Sequence, residues 1–568
     1  MNDTKNLILA VVLSAVVLLG WTWAANKYFP TANPPSTKVV SGERVPAPPP
    51  QAQPSAPSTP KALQSVSAAL ASAPRVAIRT PSLQGSINLK GAQIDDLLLL
   101  DHKQTIAKNA QPVRLLSPLG APGAYIAEFG WTAQGAQVPT LDTLWSADGQ
   151  QLSPGHPVTF TTQMPDGTRY RISFAVDEKY LFTIQQSVTN ASGKPLNVRP
   201  VGLVSRSTKS ADVDSWTNQV GPIGVFDGKA NYEVDWKDLD AGKTETFGNV
   251  PGWLGFTDKY WLTALAPQGQ MTGEFRRSPS GGYQADYALA PATVSPGETV
   301  SSQARFFAGA KEKSLLDRYQ DAGIPQFSYA IDWGWFHWFM IPIFDVLLFL
   351  FRTFGNFGLA IIALTFIVRA IMFPIAQKQF QSMAAMRKLQ PKMKAIQERF
   401  KDDKPRQQQE ILKLYQTEKV NPAAGCLPIV LQIPVFYALY KTLLVSVEMR
   451  HQPFILWIKD LSAPDPLTPV NLFGLLNFTP PHMLAIGILP ILVGATQWGS
   501  MKLNPQPMDP AQAQIFAIMP WFLVFIMAPF AAGLQLYWMT NNLLTIAQQW
   551  WLYRKFGLHL SDTHPVHT

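Results

Sequence analysis

The chain has 568 residues and one cysteine, Cys426, so no intramolecular disulfide can staple it and no cysteine-rich metal centre can form. Cys426 lies in an apolar run, where a free thiol acts as a small packing residue. Histidine is scarce too. Of the eight His, four sit in or beside the last apolar runs and the tail, which leaves no catalytic or metal-binding cluster. No Walker A loop is present to drive an ATPase, and neither H-E-x-x-H nor G-x-S-x-G points to a hydrolase. The apolar runs at 356–376, 422–446, 482–499, 513–530 and 533–553 contain no Asp or Glu. Ion-coupled transporters place carboxylates or His at the bilayer midplane, so that absence speaks against a coupled small-solute transporter.

What the sequence does have divides it in two. Residues before about 330 are mixed and polar, whereas those from 340 to 553 carry several runs long enough to span a bilayer. The expected architecture is a polytopic α-helical bundle with a large soluble β domain. The net charge of +9 is concentrated at 377–419, where eleven Lys and Arg face five Asp and Glu. A basic segment between two spans reports cytoplasmic orientation and also suits anionic lipid or ribosomal RNA.

The first apolar run, Leu7–Ala24, follows Lys5 and has the length of a signal peptide or a first transmembrane helix. Thr22-Trp23-Ala24 is a poor cleavage site, so an uncleaved anchor over 1–29 is expected. A Pro- and Ala-rich tether over 30–82 follows, too polar to fold. Tyr170, Ile172, Phe174 and Val176 alternate, as do Tyr180, Phe182, Ile184 and Val188, around Asp177-Glu178-Lys179. This period-two pattern predicts an antiparallel hairpin, and 83–322 reads as a β-sandwich domain ending in a short helix.

Trp333, Trp335 and Trp338 lie at a spacing suited to one helix face, predicting an amphipathic interfacial helix within 323–355. The second span is placed at 356–376, a helical hairpin at 377–420, four further spans within 421–553 and a short tail at 554–568. With the first run that makes six crossings. Positive-inside bias then puts both termini and the hairpin in the cytoplasm and the β domain outside. Within the hairpin, Phe380, Met383, Met386, Leu389, Met393, Ile396 and Phe400 recur every three or four residues, as do Ile411, Leu414 and Tyr415. Two accounts stay open: the stripes pack on each other, or Met383, Met386 and Met393 offer an adaptable surface to incoming segments.

Arg369 is the most informative residue. A charge this deep in a span costs on the order of 3 kcal/mol and needs compensation, yet the spans offer no carboxylate. Thr365, Gln432, Gln535, Asn541, Asn542, Thr545, Gln548 and Gln549 are the neutral candidates for lining a hydrated groove around it. Snorkelling of Arg369 to the cytoplasmic headgroups is the alternative.

The sequence resembles the YidC insertases from first span to last. The resemblance rests on Ile331-Asp-Trp-Gly-Trp335, Asn356-Phe-Gly-Leu-Ala360, Val368-Arg-Ala-Ile-Met-Phe-Pro374, Asn421-Pro-Ala-Ala-Gly-Cys-Leu-Pro428 and Gly533-Leu-Gln-Leu-Tyr-Trp538 followed by Thr540-Asn-Asn542. In the β domain it rests on Gly85-Ser-Ile-Asn-Leu-Lys-Gly-Ala92, Gly221-Pro-Ile-Gly-Val225 and Gly252-Trp-Leu-Gly-Phe256. It implies a periplasmic β-supersandwich, five core helices around a positively charged groove holding Arg369, Thr365 and Gln432, and no enzymatic activity. The implied function is insertion and chaperoning of inner-membrane proteins. The implied partners are nascent membrane proteins, the Sec translocon with its accessory subunits, ribosome–nascent chain complexes and the phospholipid bilayer, with no cofactor and no specific DNA. The tail after Lys555 is short, so any ribosome contact is expected through 377–419.

Overall fold

The computed structural model describes residues 37–40, 43–46 and 63–555, except 134, 213–218, 279–280, 335, 402, 419–426, 477–484 and 504–509. The first apolar run, Trp335, Cys426 and the tail histidines lie outside the described residues, as do the side chains of Met383 and Met386.

The alternating pattern at 170–188 builds the hairpin it predicts. Strand Arg169–Val176 pairs antiparallel with Leu181–Thr189, setting Tyr170 opposite Val188 and Phe174 opposite Ile184. All eight alternating apolar side chains are buried. Asp177 shapes the turn, its Oδ1 accepting the backbone N–H of Lys179 at 2.9 Å and of Leu181 at 3.0 Å. The hairpin belongs to a nine-stranded sheet, which faces a second sheet of eleven strands. Between them Phe129 of the second sheet meets Phe174 and Phe306 of the first edge-on, at 6.5 and 5.9 Å between centroids. Such contacts make the two layers one core.

Strand Tyr125–Ala133 also carries Glu128, whose partner is the amide nitrogen of Gln93 at 3.4 Å. Burial pushes its carboxyl from the ordinary 4.5 up to about 7. The native state therefore holds this proton more tightly than the unfolded chain. Its contribution is complete below pH 4.5 and is lost as pH rises through 7, a swing on the order of 3 kcal/mol. Glu128→Gln should raise the unfolding temperature of the β domain by several degrees at pH 8 and leave it unchanged at pH 4. Equal effects at both values would contradict this account.

The domain closes with helix α1, Lys313–Asp321. An interfacial helix carrying all three Trp was expected next, and the structure corrects its start. Asp332 Oδ1 accepts the Gly334 N–H at 2.8 Å and Gly334 has φ +69°, a turn that keeps 331–334 out of the helix. Helix α2 begins at His337 and runs to Phe354. Trp333 is buried in the loop before it, 5.4 Å from Phe344, whereas Trp338 is on the helix and exposed.

Helix α3 is Phe357–Arg399, capped by Asn356, whose side chain accepts the Leu359 N–H. Its 43 residues run about 64 Å without a break, through Pro374 and Pro391. The expected boundary at 376/377 is thus absent: the second span and the first arm of the hairpin are one helix. Helix α4, Lys404–Thr417, folds back on it. The remaining helices are α5 Leu427–Val445, α6 Ile488–Lys502, α7 Pro510–Met527 and α8 Ala532–Lys555. Among the described residues, His337–Phe354 and Phe357–Ser382 are long and apolar enough to cross a bilayer.

The β domain docks on one end of the bundle. Lys313 Nζ lies 2.9 Å from both Asp317 and Asp345 of α2, and the Lys313 N–H donates to Glu448 at 2.9 Å. Arg450, just past α5, donates to the carbonyls of Lys103 at 2.7 Å and Gln104 at 3.2 Å. The hairpin α3–α4 projects from the opposite end, where Phe380 packs edge-on against Tyr553 of α8 at 4.9 Å.

Candidate functional site

Arg369 lies twelve residues into α3, about 18 Å along its axis. Its partners all come from α8. Nε donates to Asn541 Oδ1 at 2.7 Å and Nη2 to the Asn541 carbonyl at 3.2 Å, with the Thr545 hydroxyl also accepting from Nη2. The Thr545 hydroxyl in turn donates to the Asn541 carbonyl at 2.7 Å, which fixes its lone pairs toward the guanidinium. Asn541 and Thr545 are one turn apart and so share a face of α8. The cation is therefore held by neutral oxygens and keeps its charge uncancelled.

Beside it a cleft of about 440 Å³ opens between α3 and α8, lined by Phe366, Arg369, Ala370, Phe373, Leu544, Ala547, Gln548 and Trp551. The walls are aliphatic and aromatic, with Arg369 and Gln548 the polar members. The Gln548 amide nitrogen is buried without a hydrogen-bond partner among the described residues. Outside the cleft, α3 exposes Ile367 and Ile371. The arrangement offers an apolar segment a surface to lie on, with a fixed positive charge at its margin.

The other expected groove residues do not gather there. Thr365 is fully buried one turn before Arg369, and its hydroxyl donates to the Ile361 carbonyl at 2.6 Å, which takes it out of reach. Gln432 on α5 donates to the Tyr537 hydroxyl. Gln535 is fully buried and its amide donates to the carbonyls of Met527 and Phe530, both at 2.8 Å, closing the turn between α7 and α8. Asn542 turns toward α6, donating to Thr496 at 3.2 Å. Polar residues on one helix point to several faces, and spacing in α8 separates Asn541 from Asn542 by about 100°. Of the polar candidates in the last run, Thr545 and Gln548 do reach the site, following Asn541 at intervals of four and three. That periodicity was the signal available.

In the hairpin, Met393 is buried and accepts a hydrogen bond at its sulfur from the Tyr415 hydroxyl at 3.6 Å. Lys392 pairs with Glu418 at 2.6 Å and the Gln407 amide donates to the Gln397 carbonyl at 3.0 Å. The two arms thus pack on each other, and Met393 serves that contact, not an open surface. Cysteines replacing Met393 and Tyr415 should be joined in resting membranes by a bifunctional maleimide whose span matches the two side chains that now meet at their tips. Failure of the pair to crosslink with that reagent would show that the arms are apart.

A helical bundle with two described helices long and apolar enough to cross a bilayer, a cation held by neutral oxygens at a lateral cleft, and a β domain docked on one end fit the class of membrane proteins with a large extramembrane domain. Residues 349–558 match the family model described as 60Kd inner membrane protein, and residues 75–346 match that of the YidC periplasmic domain. Membrane protein insertase YidC of Zymomonas mobilis is 48% identical over 97% of this chain and 95% of its own. That of Bradyrhizobium diazoefficiens is 41% identical over 98% and 97%. Among solved structures, an active YidC insertase with its first transmembrane domain resolved is similar at 18% identity and a TM-score of 0.37, covering 84% of this chain and 92% of that one. A galactose mutarotase related enzyme from Lactobacillus acidophilus is similar over 41% of this chain and 97% of its own, at 10% identity and a TM-score of 0.29. The chain belongs to the YidC family of membrane protein insertases. Its β domain is the periplasmic domain of that family, and the family is one of insertases, not an enzyme class.

Proposed function

We propose that this chain inserts and helps fold newly made inner-membrane proteins by receiving their segments at the α3–α8 cleft, which is hydrated, positively charged and open to cytoplasm and lipid. The observation that carries the reading is Arg369 held by neutral oxygens at the margin of an apolar cleft. A passing acidic residue finds an unpaired charge there, and a passing apolar segment finds the walls. Gln548, with its unmatched amide nitrogen, gives a water molecule or a substrate carbonyl a donor.

The chain crosses the bilayer six times, with the first run as an uncleaved anchor and both termini in the cytoplasm. The hairpin lies on that side too, since it leaves the bundle opposite the periplasmic domain. Its basic residues at 377–419 meet ribosome–nascent chain complexes, and the chain works alone or with the Sec translocon. Reconstitution tests the core of this: vesicles containing the purified protein should insert a newly synthesised single-span substrate and protect its translocated end from protease. No gain over empty vesicles would defeat the proposal.

A further inference from the structure

From Pro466 to Met501 the sequence has 36 residues without a single Asp, Glu, Lys or Arg. A bilayer span needs about 20. Helix α6 uses only the last part of this run, beginning at Ile488, and its 15 residues extend about 22 Å against a hydrocarbon core of about 30 Å. In sequence the surplus precedes α6, and its described residues lie at the end of the bundle that carries the periplasmic domain.

The described part of that surplus is a short 3₁₀ segment, Pro469–Gly474, continuing to Leu476. It turns apolar side chains outward in succession: Val470, Leu472, Phe473, Leu475 and Leu476 are all exposed, Leu475 to 84%. A soluble loop of this kind would expose polar residues instead. Nor is the segment loose. Leu472 and Phe473 are bulky residues at φ +48° and +59°, a conformation that costs on the order of 1–2 kcal/mol each and persists only when surroundings enforce it.

The enforcement is visible. The Phe473 N–H donates to the Thr468 carbonyl at 3.0 Å, and the Leu476 N–H to the Asn471 carbonyl at 3.1 Å. Below them Asp465, nearly fully buried, is the anchor. Its Oδ1 accepts from Trp457 Nε1 and the Leu467 N–H, both at 3.0 Å, and its Oδ2 accepts the Leu489 N–H at the start of α6 at 2.7 Å. Leu461 and Ala463 accept from the first N–H groups of α8. The loop is thus held at a fixed height against the periplasmic ends of α6 and α8. A second exposed apolar tip, Ile455 and Leu456, flanks Trp457 on the same connection.

We infer that residues 469–476 are embedded in the outer leaflet, at the boundary between headgroups and acyl chains, with phospholipid as their occupant. The lack of charge fits that depth, as does the shortness of α6, which places its N-terminus beneath the headgroups. The internal backbone hydrogen bonds keep donors satisfied where water is thin. The segment then acts as a fixed wedge that sets the depth of the α5–α6 connection on the leaflet opposite the hairpin.

The test uses the full chain with Cys426→Ser and Leu475→Cys, labelled with an environment-sensitive fluorophore and reconstituted in vesicles of phosphatidylethanolamine and phosphatidylglycerol. Leu475 is exposed, so its replacement leaves the packed base intact. The probe should emit blue-shifted relative to one at Thr293→Cys in the β domain, and lose most of its intensity to lipids spin-labelled high on the acyl chain, while the Thr293 probe loses none. Water-like emission without lipid quenching at 475 overturns the inference. Protection appearing only in native membranes, and not in these vesicles, overturns it in favour of a protein partner.

Discussion

Arg369→Ala should lower insertion of substrates with acidic translocated tails by on the order of tenfold, and affect those with neutral tails much less. A carboxylate 4 Å from the guanidinium is attracted by about 1 kcal/mol in water and about 4 kcal/mol at an effective dielectric of about 20, and the cleft walls of Phe366, Phe373 and Trp551 favour the second figure. Tenfold corresponds to about 1.4 kcal/mol, well within that difference. Arg369→Lys should retain much of the activity, because the proposed attraction needs charge more than shape, whereas Arg369→Glu should do worse than Ala. The geometry adds a sharper variant. Asn541 Oδ1 accepts from Arg369 Nε at 2.7 Å, so Asn541→Asp would put a carboxylate there and cancel the charge internally. It should reproduce the acidic-tail defect with Arg369 still in place, while Asn541→Ala keeps the charge and is milder. Protease protection of matched substrates differing only in tail charge reads all of these, with protein levels checked by immunoblot. Wild-type behaviour of Arg369→Ala on acidic tails would remove charge attraction from the mechanism and leave the apolar walls to carry it.

How much of this was legible in the sequence depends on which physical signal carried it. The β hairpin at 170–188 was readable because alternation of apolar side chains needs only the period of a strand, and every apolar residue named for it is buried. Arg369 stood out because a charge deep in an apolar run that has no carboxylate demands partners wherever they come from. Which partners it takes was not readable from a list of polar residues. Thr365 satisfies itself on its own helix, Gln535 closes a turn, and Asn542 faces α6, because an isolated side chain is claimed by the nearest free carbonyl or hydroxyl. Among the described residues, Asn541 and Thr545, spaced by a turn, are the ones that reach the guanidinium.

Local punctuation also misled in both directions. The second span was bounded at 376, just past Pro374, yet α3 continues through both, since one missing backbone bond costs less than abandoning a packed helix of 43 residues. The three Trp at 333, 335 and 338 had helical spacing, yet Asp332 and Gly334 form a turn that delays the helix to His337. The hairpin stripes were compatible with mutual packing or with an open Met surface, and the Met393–Tyr415 contact decides that position for packing.

The other large effect concerns the motif Gly252-Trp-Leu-Gly-Phe256, whose glycines the sequence presented without a reason. A Cβ on Gly255 would lie 1.8 Å from the carbonyl oxygen of Thr263 and 2.9 Å from Ala264 Cα, on the strand Trp261–Pro267 that pairs with it. Both are backbone atoms at the centre of a sheet, so the clash cannot be relieved by rotating a side chain. Either the ladder must open or the strand must shift, carrying with it the fully buried Trp253 and Phe256 on either side. Overpacking of this kind costs about 3 kcal/mol or more where backbone must move. Gly255→Ala should therefore lower the unfolding temperature of the β domain by about 6–12 °C at 2–4 °C per kcal/mol. Gly130→Ala is the matched control: nothing lies within 4 Å of its Cβ position, so it should be neutral or slightly stabilising. The same variant probes what the domain is for. With the cleft and the hairpin away from the docked end, Gly255→Ala protein that accumulates should still insert a small single-span substrate, as should a chain lacking residues 90–300. An unchanged unfolding temperature would refute the close strand approach at Gly255, and loss of insertion in a stably expressed deletion would tie the periplasmic domain to the insertion step itself.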